Sequence, residues 1–284
     1  MIAFKTLENG FEYIDVSNEV AHAKIALQGA HLFHFASNNE KPLLWLSDTS
    51  DFEVGKAIRG GIPICWPSFG ASNPDLPQHG FARTALWTLE SSREIDNHTT
   101  QLTLVLHDTK ESLKLWNYKF KVALRITLSY DVSLELETTN LDEKPLTLTQ
   151  ALHTYFTIDN IFDVTIHGLD NKPYFNSLTN TYEVNIGDIV FDKEYDAIYQ
   201  EVDKPITLLT KNREITITNT GSSSVVVWNP WIDKCKRISG MRDEAYLEFV
   251  CIESANANAD FKLIEPHKTH LLKTCIGTKS LFLV

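Results

Sequence analysis

From position 118 to position 136 every even-numbered residue is apolar or aromatic, and every odd one except Ala123 is polar. A period of two sends one set of side chains to a buried face and the other towards solvent or a cleft, as in a half-buried β-strand. The run is too long for one strand of ordinary length, so a chain reversal is expected near Tyr130-Asp131. Shorter stretches of the same alternation fall at 20–27, 101–106, 145–156, 215–218 and 246–252. Turn-forming clusters such as "SNNEKP", "ASNPDLP", "LDEKP" and "NTGSS" lie between them. Helical periodicity is nearly missing. The segment "DTKESLKLW" (108–116) is the one helix candidate, with Asp108 and Glu111 placed to form a capping box. Many strands at regular spacing with few helices predict an all-β chain, a large antiparallel β-sandwich or barrel. No repeat, low-complexity tract or compositional shift divides the sequence, so residues 1–284 are expected to form a single domain.

Composition narrows the partners. At 43% hydrophobic and 22% charged, the chain can fill a large core. Its formal net charge of −11 argues against nucleic acid and against anionic membrane surfaces. An anionic small ligand would need locally placed Arg or Lys. Four cysteines are widely spaced with no CxxC pair, so neither a disulfide framework nor a zinc site is expected. Cys65 and Cys251 sit in apolar runs and read as small buried hydrophobes. No basic stretch followed by an apolar one opens the sequence, and no apolar run reaches membrane-spanning length. A cytoplasmic protein is therefore expected, and the sequon at Asn97-His98-Thr99 is expected to carry nothing.

Three segments hold residues with chemistry. "IRGGIPICWPSFG" (58–70) and "LPQHGFAR" (76–83) gather Arg59, Trp66, Phe69, Gln78, His79 and Arg83 within 25 residues. Loops on a β scaffold collect binding residues, and an arginine fork fits a phosphate or carboxylate. Two readings stay open: a buried Gly-Pro turn with Trp66 packed inside, or one wall of a binding site. In "LTLTQALHTYF" (146–156), alternation sends Leu146, Leu148, Leu152 and Phe156 to the core and His153 to the other face with Thr147, Thr149, Ala151 and Tyr155. A histidine there either exchanges protons near neutrality or is satisfied by a neighbouring hydroxyl. In "YLEFVCIESAN" (246–256), parity groups Glu253 with Leu247, Phe249 and Cys251 at the end of a strand. Partly desolvated, it would be a base with a raised pKa; facing solvent, it would be ordinary. His22, His31 and His34 lie without Cys or carboxylate at ligand spacing and read as structural or exposed. Trp228 and Trp231 in "VVWNPW" read as packing residues. HExxH, Walker-type, GxGxxG and GxSxG motifs are missing.

In order and spacing, "IRGGIPICWPSFG", "PQHGFAR", "ALHTYF", "EYDAIY", "VVWNPW" and "FVCIES" resemble the aldose 1-epimerase family, in its glucose-6-phosphate 1-epimerase branch, from about residue 11 to about residue 272. The resemblance implies an antiparallel β-supersandwich of galactose mutarotase type. It implies an isomerase that interconverts the α and β anomers of a hexose 6-phosphate, with no metal or organic cofactor. His153 and Glu253 match the catalytic pair, Arg59, Gln78 and Arg83 match substrate-binding positions, His79 is implied to line the pocket, and Asp196 matches an aspartate that contacts sugar hydroxyls. The implied partner is a small sugar phosphate, with no nucleic acid, no membrane and a monomeric protein. The sequence departs from the family pattern twice, with Ala197 where Arg is usual and Ser254 where Pro is usual. The first departure leaves two alternatives: a mutarotase of another or unphosphorylated aldose, or a non-catalytic carbohydrate-binding protein. Opening a hemiacetal ring requires the C1 hydroxyl to lose a proton while the ring oxygen gains one. Glu253 as carboxylate would take the first and His153 as imidazolium would supply the second, from opposite sides of the O1–C1–O5 unit.

Overall fold

The computed structural model of the chain describes residues 1–38 and 40–281. Strands Phe120–Leu128 and Val132–Asn140 form a hairpin that reverses at 129–131, within the long alternating run. Its even-numbered side chains from Phe120 to Leu136 are buried, apart from Tyr130 at the exposed turn. The hairpin belongs to an eight-stranded antiparallel sheet in the order Thr165–His167, Ile206–Leu209, Arg213–Thr220, Thr269–Ser280, Val132–Asn140, Phe120–Leu128, Thr99–His107, Thr88–Asp96. A second eight-stranded sheet runs Thr181–Val184, Pro173–Asn176, Tyr195–Tyr199, Ser224–Asn229, Phe249–Asn256, Gln150–Leu152, Ile64–Cys65, with Tyr155–Thr157 also paired to Phe249–Asn256. Four strands, Ile2–Thr6, Glu12–Ser17, Ala21–Ala26 and His31–Ser37, form a smaller sheet.

The two large sheets bury their facing sides against each other, which makes the fold an all-β supersandwich. Val122, Leu124, Ile126, Leu134 and Leu136 of the first share one core cluster with Val225, Val227, Val250 and Ile252 of the second. Each such side chain contributes roughly 1.5–3 kcal/mol by leaving water. Alternation then decides where chemistry can sit. On Phe249–Asn256 the even residues Val250 and Ile252 fill the sandwich, so Cys251 and Glu253 emerge on the outer face of the sheet.

Three local expectations are corrected. The run 145–156 is not one strand: Leu146–Leu148 pairs with Lys262–Ile264, while Gln150–Leu152 and Tyr155–Thr157 pair with Phe249–Asn256. The run 246–252 begins as a 3-10 turn, Ala245–Leu247, so Leu247 is off the strand and Glu253 lies in its middle, not at its end. The helix Lys110–Leu115 forms, but Thr109 and Ser112 make the capping box, with reciprocal bonds of 3.1 and 2.8 Å. Asp108 instead accepts a hydrogen bond from the Phe120 main-chain N–H at 3.1 Å, a tertiary contact that outbids the local cap. Cys65 and Cys251 are fully buried, as their apolar surroundings predicted. Among the described residues no helix is long and apolar enough to cross a membrane.

Candidate active site

Arg59 leads into a turn that requires glycine. Gly60 and Gly61 adopt φ of +108° and +65°, and a Cβ on either would lie 2.3 Å from the Trp45 carbonyl oxygen or 2.5 Å from that of Leu32. Past the turn the chain runs antiparallel to the histidine segment. The N–H of His153 donates to Pro63 O at 3.0 Å and that of Tyr155 to Gly61 O at 2.9 Å. Trp66 does not reach the site: it is fully buried against Phe81, Trp116 and Phe120, and its Nε1–H donates to Thr138 Oγ1 at 3.0 Å. Both readings of "IRGGIPICWPSFG" therefore hold, for different residues of it.

Register brings together residues far apart in sequence. The pairs Leu152–Ser254 and Tyr155–Cys251 keep one alignment across the break at 153–154, which sets His153 opposite Glu253. Val226 is the next partner of Glu253, and Ile198 the next partner of Val226. Pro63, His153, Glu253, Val226 and Ile198 thus make one row across the sheet, and all five line a single cavity of about 590 Å³. In the adjacent row Trp228 pairs with both Cys251 and Asp196, so Tyr155, Trp228 and Asp196 line the same cavity. Arg59, Gln78 and His79 enter from loops, and Arg83 from the 3-10 turn Ala82–Thr84. The seven residues that the family resemblance implied at the site, Arg59, Gln78, His79, Arg83, His153, Asp196 and Glu253, all border this one cavity. Its size falls in the range of small-molecule sites, about 300–1,000 Å³.

Sequence reasoning missed Trp228, assigned to packing, and Lys234, Arg237 and Ser239, all of which line the cavity. Trp231 does pack, against Phe162 and Tyr246. The signal for Trp228 was its pairing with Asp196, which exists only once strands are aligned. Of the histidine group, His31 is buried and bonded to Gly60 O at 2.7 Å, and His22 meets Asp15 at 2.8 Å. Ala197 and Ser254, the two positions expected to depart from the family pattern, face the sandwich and not the cavity. Ala197 lies in the main core, and Ser254 Oγ donates to Asn219 Oδ1 at 2.5 Å. A side chain at position 197 is therefore no part of the cavity wall.

His153 and Glu253 are neighbours on one floor, not groups facing each other across the cavity. Nε2 of His153 lies 3.3 Å from Oε1 of Glu253, and the two residues are 9% and 1% exposed. His153 Nδ1 and Glu253 Oε2 have no hydrogen-bond partner among the described residues. Burial raises the pKa of Glu253 well above the usual carboxylate range, and the charge of Asp196 adds to it. Burial likewise holds His153 well below the ordinary histidine value, with His79, Arg83 and Arg59 acting in the same sense. Both shifts act towards the uncharged forms, a carboxylic acid beside a neutral imidazole.

The rim is cationic although the molecule is acidic. Arg59 Nε donates to Ser239 O at 3.2 Å and Arg83 Nη2 to Gln78 O at 2.9 Å. Among the described residues neither makes an ion pair with a carboxylate, whereas Lys234 is engaged by Glu194 at 3.0 Å and Asp196 at 3.3 Å. The forks of Arg59 and Arg83 therefore keep donors for an anion. His79 has a positive φ of +66° and accepts a hydrogen bond at Nδ1 from the Gly70 N–H at 3.2 Å. Burial, then Arg83 and Arg59, lower its pKa to about 3. It is a neutral ring whose proton sits on Nε2.

These buried neutral histidines set an acid limit. His31 is lowered to about 4 by burial and His79 to about 3. A lowered histidine stabilises the fold above its unfolded value of about 6.5, and that stability is lost as pH falls through the window towards the folded pKa. Each histidine that only the unfolded chain protonates costs about 1.4 kcal/mol per pH unit. The urea midpoint is expected to be steady above pH 7 and to fall steeply between about pH 6 and 4. A flat midpoint across that window would contradict it.

Comparison with known proteins places the chain in a family. Residues 12–276 match the family model described as Aldose 1-epimerase. The chain is 36% identical over 251 residues to a Cenchrus ciliaris protein named "Putative glucose-6-phosphate 1-epimerase", covering 82% of this chain and 74% of that protein. It is 34% identical over 269 residues to an Escherichia coli K12 protein of the same name, covering 93% of this chain and 89% of the other. The crystal structure of a "putative mutarotase" from Salmonella typhimurium superposes with a TM-score of 0.91 at 30% identity, over 98% of this chain and 94% of that one. With a family model spanning most of its length and relatives this similar, the chain belongs to the aldose 1-epimerase family.

Proposed function

We propose that the protein interconverts the α and β anomers of a hexose 6-phosphate, with glucose 6-phosphate as the preferred substrate, by acid–base ring opening and closure. One observation carries the reading: the His153–Glu253 pair, 3.3 Å apart, sits on the floor of a cavity whose rim holds Arg59 and Arg83. The names borne by the relatives from Cenchrus ciliaris and Escherichia coli support the same substrate.

The pair carries one proton through the whole cycle. With closed-ring sugar bound, the proton is on His153 and Glu253 is a carboxylate. Glu253 takes the proton of the C1 hydroxyl as the C1–O5 bond breaks. The bond's electron pair leaves with O5, which receives the proton of His153. The product is the open-chain aldehyde, beside a neutral imidazole and a protonated Glu253. Rotation about C1–C2 presents the other face of the carbonyl. His153 then removes the O5 proton, O5 attacks C1, and Glu253 returns its proton to O1. Atoms and protons balance with nothing drawn from solvent. O1 and O5 are both bonded to C1, so two groups side by side on one floor reach both. Burial favours the neutral pair, which is the state that accompanies the open chain, and sugar oxygens supply the hydrogen bonds that the charged state needs.

The remaining residues hold the sugar while its ring is open. Gln78, His79 and Asp196 offer donors and acceptors to hydroxyls, and Tyr155 and Trp228 provide aromatic walls. Arg59 and Arg83 anchor the phosphate away from C1, so that remote binding energy positions the reacting end. The test is magnetisation exchange between the two anomers of glucose 6-phosphate at catalytic protein concentration. Accelerated exchange is expected, and a rate equal to the uncatalysed one for every hexose phosphate tried overturns the proposal.

A further inference from the structure

Behind the cavity, one buried turn touches the main chain next to both arginines. It spans 28–30, between strands Ala21–Ala26 and His31–Ser37, and runs into His31 at the start of the second. Gln28 holds the loop leading to Arg59: its Nε2 donates to Lys56 O at 2.7 Å and its Oε1 accepts from the Gly55 N–H at 2.6 Å. The Gly29 N–H donates to Ala85 O at 2.7 Å, just past Arg83. His31, 1% exposed, donates from Nε2 to Gly60 O at 2.7 Å, one residue after Arg59.

The bond from His31 has a specific task. Gly60 and Gly61 are in left-handed conformations that many other backbone arrangements compete with, since glycine visits both signs of φ readily. Neighbouring main-chain bonds pin the flanks, Ser47 N–H to Arg59 O at 3.0 Å and Gly61 N–H to Trp45 O at 2.7 Å. The Gly60 carbonyl, in the same peptide as the Gly61 N–H, is held by a side chain. Without that donor a buried oxygen loses its partner, and the Gly60–Gly61 peptide, in the turn that follows Arg59, is left to its N–H bond with Trp45 O.

We propose that His31 is a positioning residue for the anion grip: its hydrogen bond to Gly60 fixes the turn that aims Arg59, while the turn that runs into it seats the segment of Arg83. This rests on the hexose-phosphate reading above. His31 touches neither the cavity nor any reacting atom, and it acts through the main chain alone. Burial keeps its ring neutral, with the pKa lowered to about 4, so the single Nε2 proton is present throughout the neutral range.

The experiment compares His31→Met, which keeps bulk and removes the donor, with His31→Gln, which keeps an N–H at similar reach. Each is assayed with glucose 6-phosphate and with glucose, in wild-type and Arg59→Ala backgrounds. For His31→Met, KM for glucose 6-phosphate is expected to rise roughly five- to tenfold with kcat within about twofold, and His31→Gln is expected to recover most of the loss. In the Arg59→Ala background the same substitution is expected to add less than about twofold, because the two act as one unit. An equal rise in KM for both sugars, full additivity with Arg59→Ala, or no rescue by His31→Gln overturns the proposal. Should His31→Met fail to fold by circular dichroism, His31→Asn, with its shorter amide, takes its place against His31→Gln under the same criteria. The wild-type assay stands apart: equal KM values for the two sugars there would sink the hexose-phosphate reading itself, and the grip with it.

Discussion

Glu253→Gln is expected to lower kcat for anomer exchange by about 10²–10⁴-fold, with KM changed only a few-fold. The amide keeps the shape of the carboxyl but can neither take the proton of O1 nor return it. His153→Asn is expected to do comparable damage for the same reason, and the double variant to do little more, because the two groups share one proton. The Glu253→Gln variant should at the same time be more stable near neutral pH, by about 0.5–2 kcal/mol. The sign follows from the raised pKa of the buried acid. The folded chain holds that proton more tightly than the unfolded chain, so the stabilisation is complete below the unfolded value, about 4.3, and is lost as pH rises through the folded one. At pH 7 unfolding is favoured by releasing the proton to water, and glutamine has none to release. Thermal melts at pH 7 and pH 5 check this: the wild type should gain stability on going to pH 5 relative to the variant. A variant that retains a tenth of wild-type kcat, or that melts lower at pH 7, would refute the assigned environment of Glu253.

Arg59→Ala and Arg83→Ala are each expected to raise KM for glucose 6-phosphate by roughly 10- to 100-fold, the worth of a hydrogen bond to a charged group. KM for unphosphorylated glucose should move by less than about threefold, since only the anion is lost from the account. The phosphate effect should shrink as salt rises, because the rim is open to solvent and its attraction is screened. Equal losses on both sugars would mean that the arginines support the cavity wall and do not hold a phosphate.

The fold was legible where one face of a strand is buried. The alternation from 118 to 136 gave the hairpin and its turn, because burial of Val122, Leu124, Ile126 and Leu134 leaves period two written in the side chains. It was illegible where main-chain bonds leave the ladder. The run 145–156 keeps its alternation, yet the N–H groups of His153 and Tyr155 turn to Pro63 and Gly61. Nothing in the side chains records that choice. The helix cap failed by one residue, since Asp108 and Thr109 are both good caps and a bond to the Phe120 main chain decided between them. At the candidate site, residue types pointed to His153, Glu253 and the arginines, which the structure brings to one cavity. Trp228 stayed hidden inside an apolar run because its face depends on pairing with Asp196 and Cys251. The burial of Glu253 depends in the same way on what covers the outer face of its strand.

The row that carries His153 and Glu253 joins segments a hundred residues apart, and Arg59 lies almost as far again upstream. Of the strands in that sheet, Phe249–Asn256 is the last along the chain, and it is also the one that links Ser224–Asn229 on one side to Gln150–Leu152 on the other. Local hairpins form in about 1–10 μs, but such distant pairings wait on closure of long loops and are intrinsically slow. During refolding, or on a growing chain, most of the β-structure can precede any turnover. On the proposed reading, turnover should then appear in a single late step, when one central strand completes the sheet and brings Glu253 with it.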